Sequence, residues 1–159
     1  MKSICSAVAV TTILLFIQWV GTPMNFVWES QAPTVTAAQI RALQADTSNR
    51  GRFLIVDVRD KNESDVSIIP GAITLANFEK TRQSHQGKAV ITYCTVGYRS
   101  EIVARDLRNN GWNAQNYRGS ILDWCENRLP VVTPNGQTTT RVHTYNSSFK
   151  VAAGYQPVY

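Results

Sequence analysis

Two continuous apolar runs limit what this chain can become. F-L-I-V at residues 53–56 lies between Gly51 and Asp57, and A-V-I-T-Y at residues 89–93 runs directly into Cys94. Neither run alternates apolar with polar side chains, so each is expected to be a strand covered on both faces, as in a parallel sheet wrapped by helices. Shorter strands are predicted at residues 73–75 and 114–117. Between them fall helical patterns. Thr36 is placed to cap a helix carrying Ala37, Ile40 and Leu43 on one face. Residues 101–110 turn Val103, Ala104 and Leu107 inward and stop at Gly111, and residues 121–128 form a last helix closed by Pro130. The intervening D-V-R-D-K-N-E-S-D-V-S (residues 57–67) is expected as a polar loop. Strands alternating with helices at this short spacing define an α/β domain, a small and mainly parallel sheet flanked by helices.

At 159 residues the chain has room for one such domain and extensions. Residues 3–20 are almost wholly apolar, follow Lys2 and precede a stretch without Lys or Arg until Arg41. They read as a signal peptide or an N-terminal membrane anchor, at the short edge of the roughly 17–25 residues a span requires. A buried core helix is the remaining alternative. With Lys2 on the inner side, the positive-inside tendency puts the domain outside the cytoplasm, in a periplasm or equivalent lumen. Cys5 has no assigned role. The expected organisation is a leader at 1–21, a linker at 22–34 with Pro23 and Pro33, the domain at 35–132, and an extension at 133–159. The extension holds no Asp or Glu and carries a P-N-G turn at 134–136 followed by alternation through residues 142–145. An edge hairpin or a mobile tail fits that pattern.

The formal charge of +5 arises from basic residues spread along the chain, so a nucleic-acid-binding stripe is not expected. Three cysteines, Cys5, Cys94 and Cys125, form neither a disulfide framework nor a C-x-x-C pair, and no His cluster accompanies them. No metal and no cofactor are expected.

The chemistry concentrates in Y-C-T-V-G-Y-R-S, residues 93–100. A strand that stops at Cys94 and hands over to a helix sets the sulfur at the carboxyl edge of the sheet, where open α/β folds bind ligands. The amides that follow converge there, and the helix adds its positive end; both favour the thiolate, which is the nucleophile. Gly97 supplies positive φ without a side chain. Arg99 offers a fork for a tetrahedral anion. The competing reading, an inert core cysteine, is a common fate for the residue type. Tyr98 either shapes access to the sulfur or is an exposed ring. Cys125 is a resolving thiol or filler, and Arg141, His143 and Lys150 in the extension are expected at the solvated surface.

Taken together, D-V-R (57–59) after a strand, I-P-G-A (69–72), Y-C-T-V-G-Y-R-S, N-N-G-W (109–112) and Y-R-G-S-I-L-D-W…L-P-V-V (117–132) resemble a single-domain rhodanese over residues 35–132. The resemblance implies that Cys94 takes a sulfane sulfur from a small anionic donor such as thiosulfate. It then passes that sulfur, as a persulfide, to a thiol or cyanide acceptor. It further implies that Cys94 and Arg99 are catalytic and that the backbone of Thr95, Val96, Gly97, Tyr98 and Ser100 cradles the anion. Asp57 and Arg59 match a strand-end motif that lines or braces the site, or they pair with Glu63. Trp124 is expected to pack the last helix. The ring C-T-V-G-Y-R has the shorter length of sulfurtransferases; related phosphatases carry one more residue. Ser67-Ile68 stands where many relatives have Gly-His. The alternatives are a rhodanese-fold binding or scaffold module of a membrane complex, and a redox protein pairing Cys94 with Cys125.

Overall fold

The computed structural model describes residues 31–159; the apolar leader and most of the linker lie outside the described residues. Both apolar runs are strands. β1 (Phe53–Asp57) and β3 (Ala89–Tyr93) pair in parallel over five residues, and they form the middle of a four-stranded parallel sheet. β2 (Ala72–Thr74) flanks β1, and β4 (Ala114–Asn116) flanks β3, giving the order β2-β1-β3-β4. Successive side chains of a strand face opposite ways. Ile55, Ile91 and Tyr93 accordingly join one core cluster with Tyr117, Ile121 and Trp124, while Val56 and Val90 join a second with Phe78, Ala104 and Leu107. Cys125 belongs to the first cluster and Cys94 to the second, and both thiols are free.

α1 (Ala37–Ala45) begins at Thr36 with a capping box closed by Gln39, and buries Ala37 and Ile40 with Leu43 partly covered. The other helices depart from expectation. α4 (Tyr98–Asn109) starts three residues earlier than the pattern of apolar side chains suggested, because Gly97 is its N-cap. α5 (Ser120–Glu126) is shorter at its end than predicted, and β2 starts one residue earlier. Within the polar stretch 57–67 lies a one-turn helix, α2 (Lys61–Ser64), with an Asp60–Glu63 capping box. α3 (Leu75–Thr81) is a further helix that sequence pattern left unassigned; it buries only Phe78, so no apolar stripe announces it.

The extension folds back on the domain. β5 (Val131–Val132) and β6 (Thr138–Thr139) form an antiparallel hairpin across the 134–136 turn, where Gly136 has φ +86°. β7 (Arg141–His143) pairs in parallel with β8 (Gln156–Val158) and lies against α2. Val142 and Ala152 enter the first core cluster, and Tyr155 Oη donates to Leu129 O at 2.6 Å. Among the described residues no helix is long and apolar enough to cross a membrane.

Candidate active site

β3 ends at Tyr93, and the chain then turns through Cys94, Thr95 and Val96 to Gly97 before α4 begins. Gly97 is required twice over. Its φ is +93°, and a Cβ there would lie 2.0 Å from Arg118 O. With that bend made, the Gly97 amide donates to Cys94 Sγ at 3.1 Å. Ser100 Oγ lies 3.6 Å from the sulfur and 2.8 Å from Asn116 Oδ1, so its single proton can turn to the sulfur when a thiolate forms. Burial pushes the Cys94 thiol up, but the Ser100 hydroxyl and the amides of Ser100, Val96 and Gly97 outweigh it and hold the thiol below its ordinary value. Three of the five cradle residues named from sequence thus act on the sulfur through these groups.

The loop is clamped from α5. Ser120, in a left-handed conformation at φ +57°, accepts from the Cys94 amide at 3.0 Å, and the Ile121 amide donates to Cys94 O at 3.1 Å. Asn116 Nδ2 holds Gly97 O at 3.2 Å and Glu101 Oε2 at 2.9 Å. Sequence reasoning missed Ser120 and Asn116. The only local hint was the placement of Ser120 just past Gly119 at the next strand-to-helix turn.

Arg99 is oriented by a carboxylate. Its Nη1 and Nη2 fork onto Glu63 at 2.6 and 2.9 Å, Nη2 also reaches Thr95 Oγ1 at 3.0 Å, and Thr95 Oγ1 in turn donates to Glu63 Oε1 at 3.1 Å. Burial raises the Glu63 carboxyl, yet the bonds from Arg99 and the Asp60 amide bring it below the usual carboxylate range. The guanidinium carbon of Arg99 sits 5.2 Å from the centre of the Tyr145 ring. His143, expected at the surface, is buried instead: the β7–β8 ladder presses it against α2, with Nδ1 4.0 Å from Glu63 Oε1 and accepting from the Tyr145 amide at 3.1 Å.

Asp57 and Arg59 lie under this layer. Arg59 Nε and Nη2 bind Asp57 at 2.9 and 2.6 Å, Nη2 also reaches Ser67 O at 2.6 Å, and Tyr93 Oη donates to Asp57 at 2.6 Å. Both charged side chains are fully buried, so they brace the ends of β1 and β3. Glu63, one alternative partner for this pair, bonds to Arg99. Tyr98 is 75 % exposed at the crest of the loop. Trp124 is fully buried, its Nε1 donating to Pro130 O at 2.8 Å. Cys125 packs in the first core cluster, and burial pushes its thiol up to about 12.

Above Cys94 opens a pocket of 330 Å³ lined by Thr95, Val96, Tyr98, Arg99, Tyr145 and Phe149. A nucleophilic sulfur at its floor, amides aimed at that sulfur and a positioned guanidinium at its wall make a site for covalent attack on a small electrophile.

The Rhodanese-like domain matches residues 36–127, and the chain belongs to that family. It is similar to the human thiosulfate:glutathione sulfurtransferase, 26% identical over 113 residues that cover 60% of this chain and 95% of that protein. A tRNA sulfurtransferase of Desulfurococcus amylolyticus is 37% identical over 71 residues, covering 45% of this chain but only 14% of that much longer protein. Among solved structures, the thiosulfate sulfurtransferase of Pseudomonas aeruginosa superposes with a TM-score of 0.56 at 24% identity, over 67% of this chain and 21% of that one; the two share the fold.

Proposed function

We propose that the protein is a sulfurtransferase that carries sulfane sulfur on Cys94. The Cys94 thiolate attacks the outer sulfur of a donor such as thiosulfate. A bond forms between Sγ and that sulfur, the donor's own S–S bond breaks, and sulfite leaves with the electron pair. The persulfide left behind carries one negative charge on its outer sulfur. The amides that favour the thiolate are poised to stabilise it, and the Arg99 edge of the pocket supplies a cation for the departing sulfite. The relatives support sulfurtransferase activity in general. The observation that carries the thiolate mechanism is the Gly97 amide at 3.1 Å from Cys94 Sγ at the floor of an open pocket.

A covalent intermediate predicts one equivalent of sulfite per protein in the first turnover with thiosulfate, before any acceptor is added. Steady sulfite release without acceptor, or the same burst in Cys94→Ser, contradicts the mechanism. The apolar residues 3–20 behind Lys2 support a domain exported or tethered outside the cytoplasm. Sequencing the mature N-terminus tests this: a start near residue 21 means a cleaved leader, and a start at Met1 favours an anchor.

A further inference from the structure

One wall of the pocket over Cys94, Tyr145 and Phe149, comes from the extension, outside the stretch that matches the family domain; the rest is the cysteine loop itself. Val96, Tyr98 and Tyr145 are three of the five large apolar side chains exposed among the described residues, and all three converge here. Exposed apolar side chains scattered singly need no explanation, whereas a cluster around a reactive atom marks a binding surface. The aromatic wall is built in advance. The Tyr145 and Phe149 rings meet edge to face with centroids 6.5 Å apart. Asn146 ties the turn between them, its Oδ1 accepting from the Ser148 amide at 2.9 Å and its carbonyl from Thr144 Oγ1 at 3.1 Å. Tyr145 itself adopts φ +71°, a conformation an aromatic residue seldom takes and one that collects at functional sites. Arg99 is the one cation in the lining, and Glu63, bonded to it through two hydrogen bonds, offsets part of its charge. The pocket therefore gives a charged, strongly hydrated acceptor little to exchange for its water, and its 330 Å³ lies at the small end of the roughly 300–1,000 Å³ range of organic-ligand sites.

We infer that Tyr145 and Phe149 form an acceptor subsite for a thiol with an apolar, aromatic or short aliphatic body, in preference to a hydrophilic one. The inference rests on the sulfur-transfer reading and names its second substrate class. In that second step the acceptor, as thiolate, attacks the outer sulfur of the Cys94 persulfide. A new S–S bond forms to the acceptor, the Sγ–S bond breaks with its electron pair returning to Cys94 as thiolate, and the negative charge of the persulfide leaves on the transferred sulfur of the product; the proton the acceptor thiol lost on ionising stays with solvent. No external oxidant or reductant is consumed.

The test begins with protein loaded by thiosulfate and freed of excess donor, its added sulfur verified by intact mass. Discharge is then followed with 2-phenylethanethiol, 2-mercaptoethanol, glutathione and cyanide. The expected result is a kcat/KM for 2-phenylethanethiol about tenfold above those of the two hydrophilic thiols, compared as thiolates. In Phe149→Ala and Tyr145→Ala the ratio of the phenylethanethiol rate to the cyanide rate falls about three- to tenfold, the scale of one lost ring contact; Phe149→Tyr, which keeps the ring, retains the ratio. Equal rates for the three thiols, or ratios unchanged in both alanine variants, overturn the subsite. A protein that never gains the sulfur overturns the transfer reading itself, and is seen before any acceptor is added.

Discussion

The Arg99 guanidinium and the Glu63 carboxylate meet through two hydrogen bonds of 2.6 and 2.9 Å, although 36 residues separate them in the chain. Glu63 comes from the one-turn helix after β1, Arg99 from the first turn of α4, so the pair fastens the cysteine loop to the neighbouring strand end. Arg99 thereby gains a fixed direction that its own flexible stem lacks.

Glu63→Gln removes the charge while keeping the shape. Hydrogen bonds to charged groups are worth roughly 1.5–3 kcal/mol, and partial exposure of Arg99 puts the expected loss near the lower end, about 1.5 kcal/mol. Urea denaturation at neutral pH reads this directly. The same carboxyl makes stability depend on acid. Its folded value lies below the ordinary 4.5, so the ionised form adds stability that is fully present above pH 4.5 and is lost as pH falls through the lowered folded value. The acid-side slope of the wild-type curve should therefore flatten in Glu63→Gln; a parallel pair of curves would assign that slope to other carboxyls.

Gly97→Ala places a methyl against Arg118 O and forces a side chain into φ +93°. The loop must shift, and the amide that faces Cys94 shifts with it. Loss of one donor of this kind costs on the order of a hundredfold in rate, while left-handed strain alone takes about 1–2 kcal/mol from stability. Steady-state kinetics beside a melting curve separates the two effects. Wild-type turnover in this variant would mean that the Gly97 amide does not serve the reaction.

Cys94 should react as a thiolate at lower pH than an ordinary cysteine. Plotting the rate of iodoacetamide alkylation against pH gives a midpoint below 9.0 in the wild type. Ser100→Ala deletes the hydroxyl 3.6 Å from the sulfur and moves that midpoint upward. An unchanged midpoint would leave the depression to the backbone amides alone.

Asp57→Asn strands a fully buried guanidinium whose fork lies on that carboxylate. Breaking a buried pair from one side costs about 3–5 kcal/mol. The variant should melt well below the wild type, yet KM for the donor, measured on the folded fraction at low temperature, stays near the wild-type value. A raised KM at intact stability would place Asp57 among the groups that contact substrate.

The parts of this molecule legible in the sequence are those written in neighbouring residues. F-L-I-V and A-V-I-T-Y announce buried strands because no polar residue interrupts them, and C-T-V-G-Y-R announces the loop because glycine sits where the turn must reverse. What was illegible depends on partners far along the chain. Whether Asp57 and Arg59 brace the site or pair with Glu63 stays open in the sequence; the fold gives Arg59 to Asp57 and brings Glu63 to Arg99. The alternation through 142–145 holds His143 and Tyr145 but names no partner for them, and only the β7–β8 ladder, anchored by Val142 in the core, takes them to α2 and the active-site loop. Lys61–Ser64 is too short for a periodic signal, although the Asp60…Glu63 spacing of its capping box was readable.

The most direct measurement is the intact mass of the protein after incubation with thiosulfate and removal of the excess. The account predicts a gain of one sulfur atom, mapped to Cys94 by peptide analysis, erased by cyanide and missing in Cys94→Ser. A wild-type protein whose mass stays unchanged with thiosulfate and with every other sulfane donor tried would contradict it.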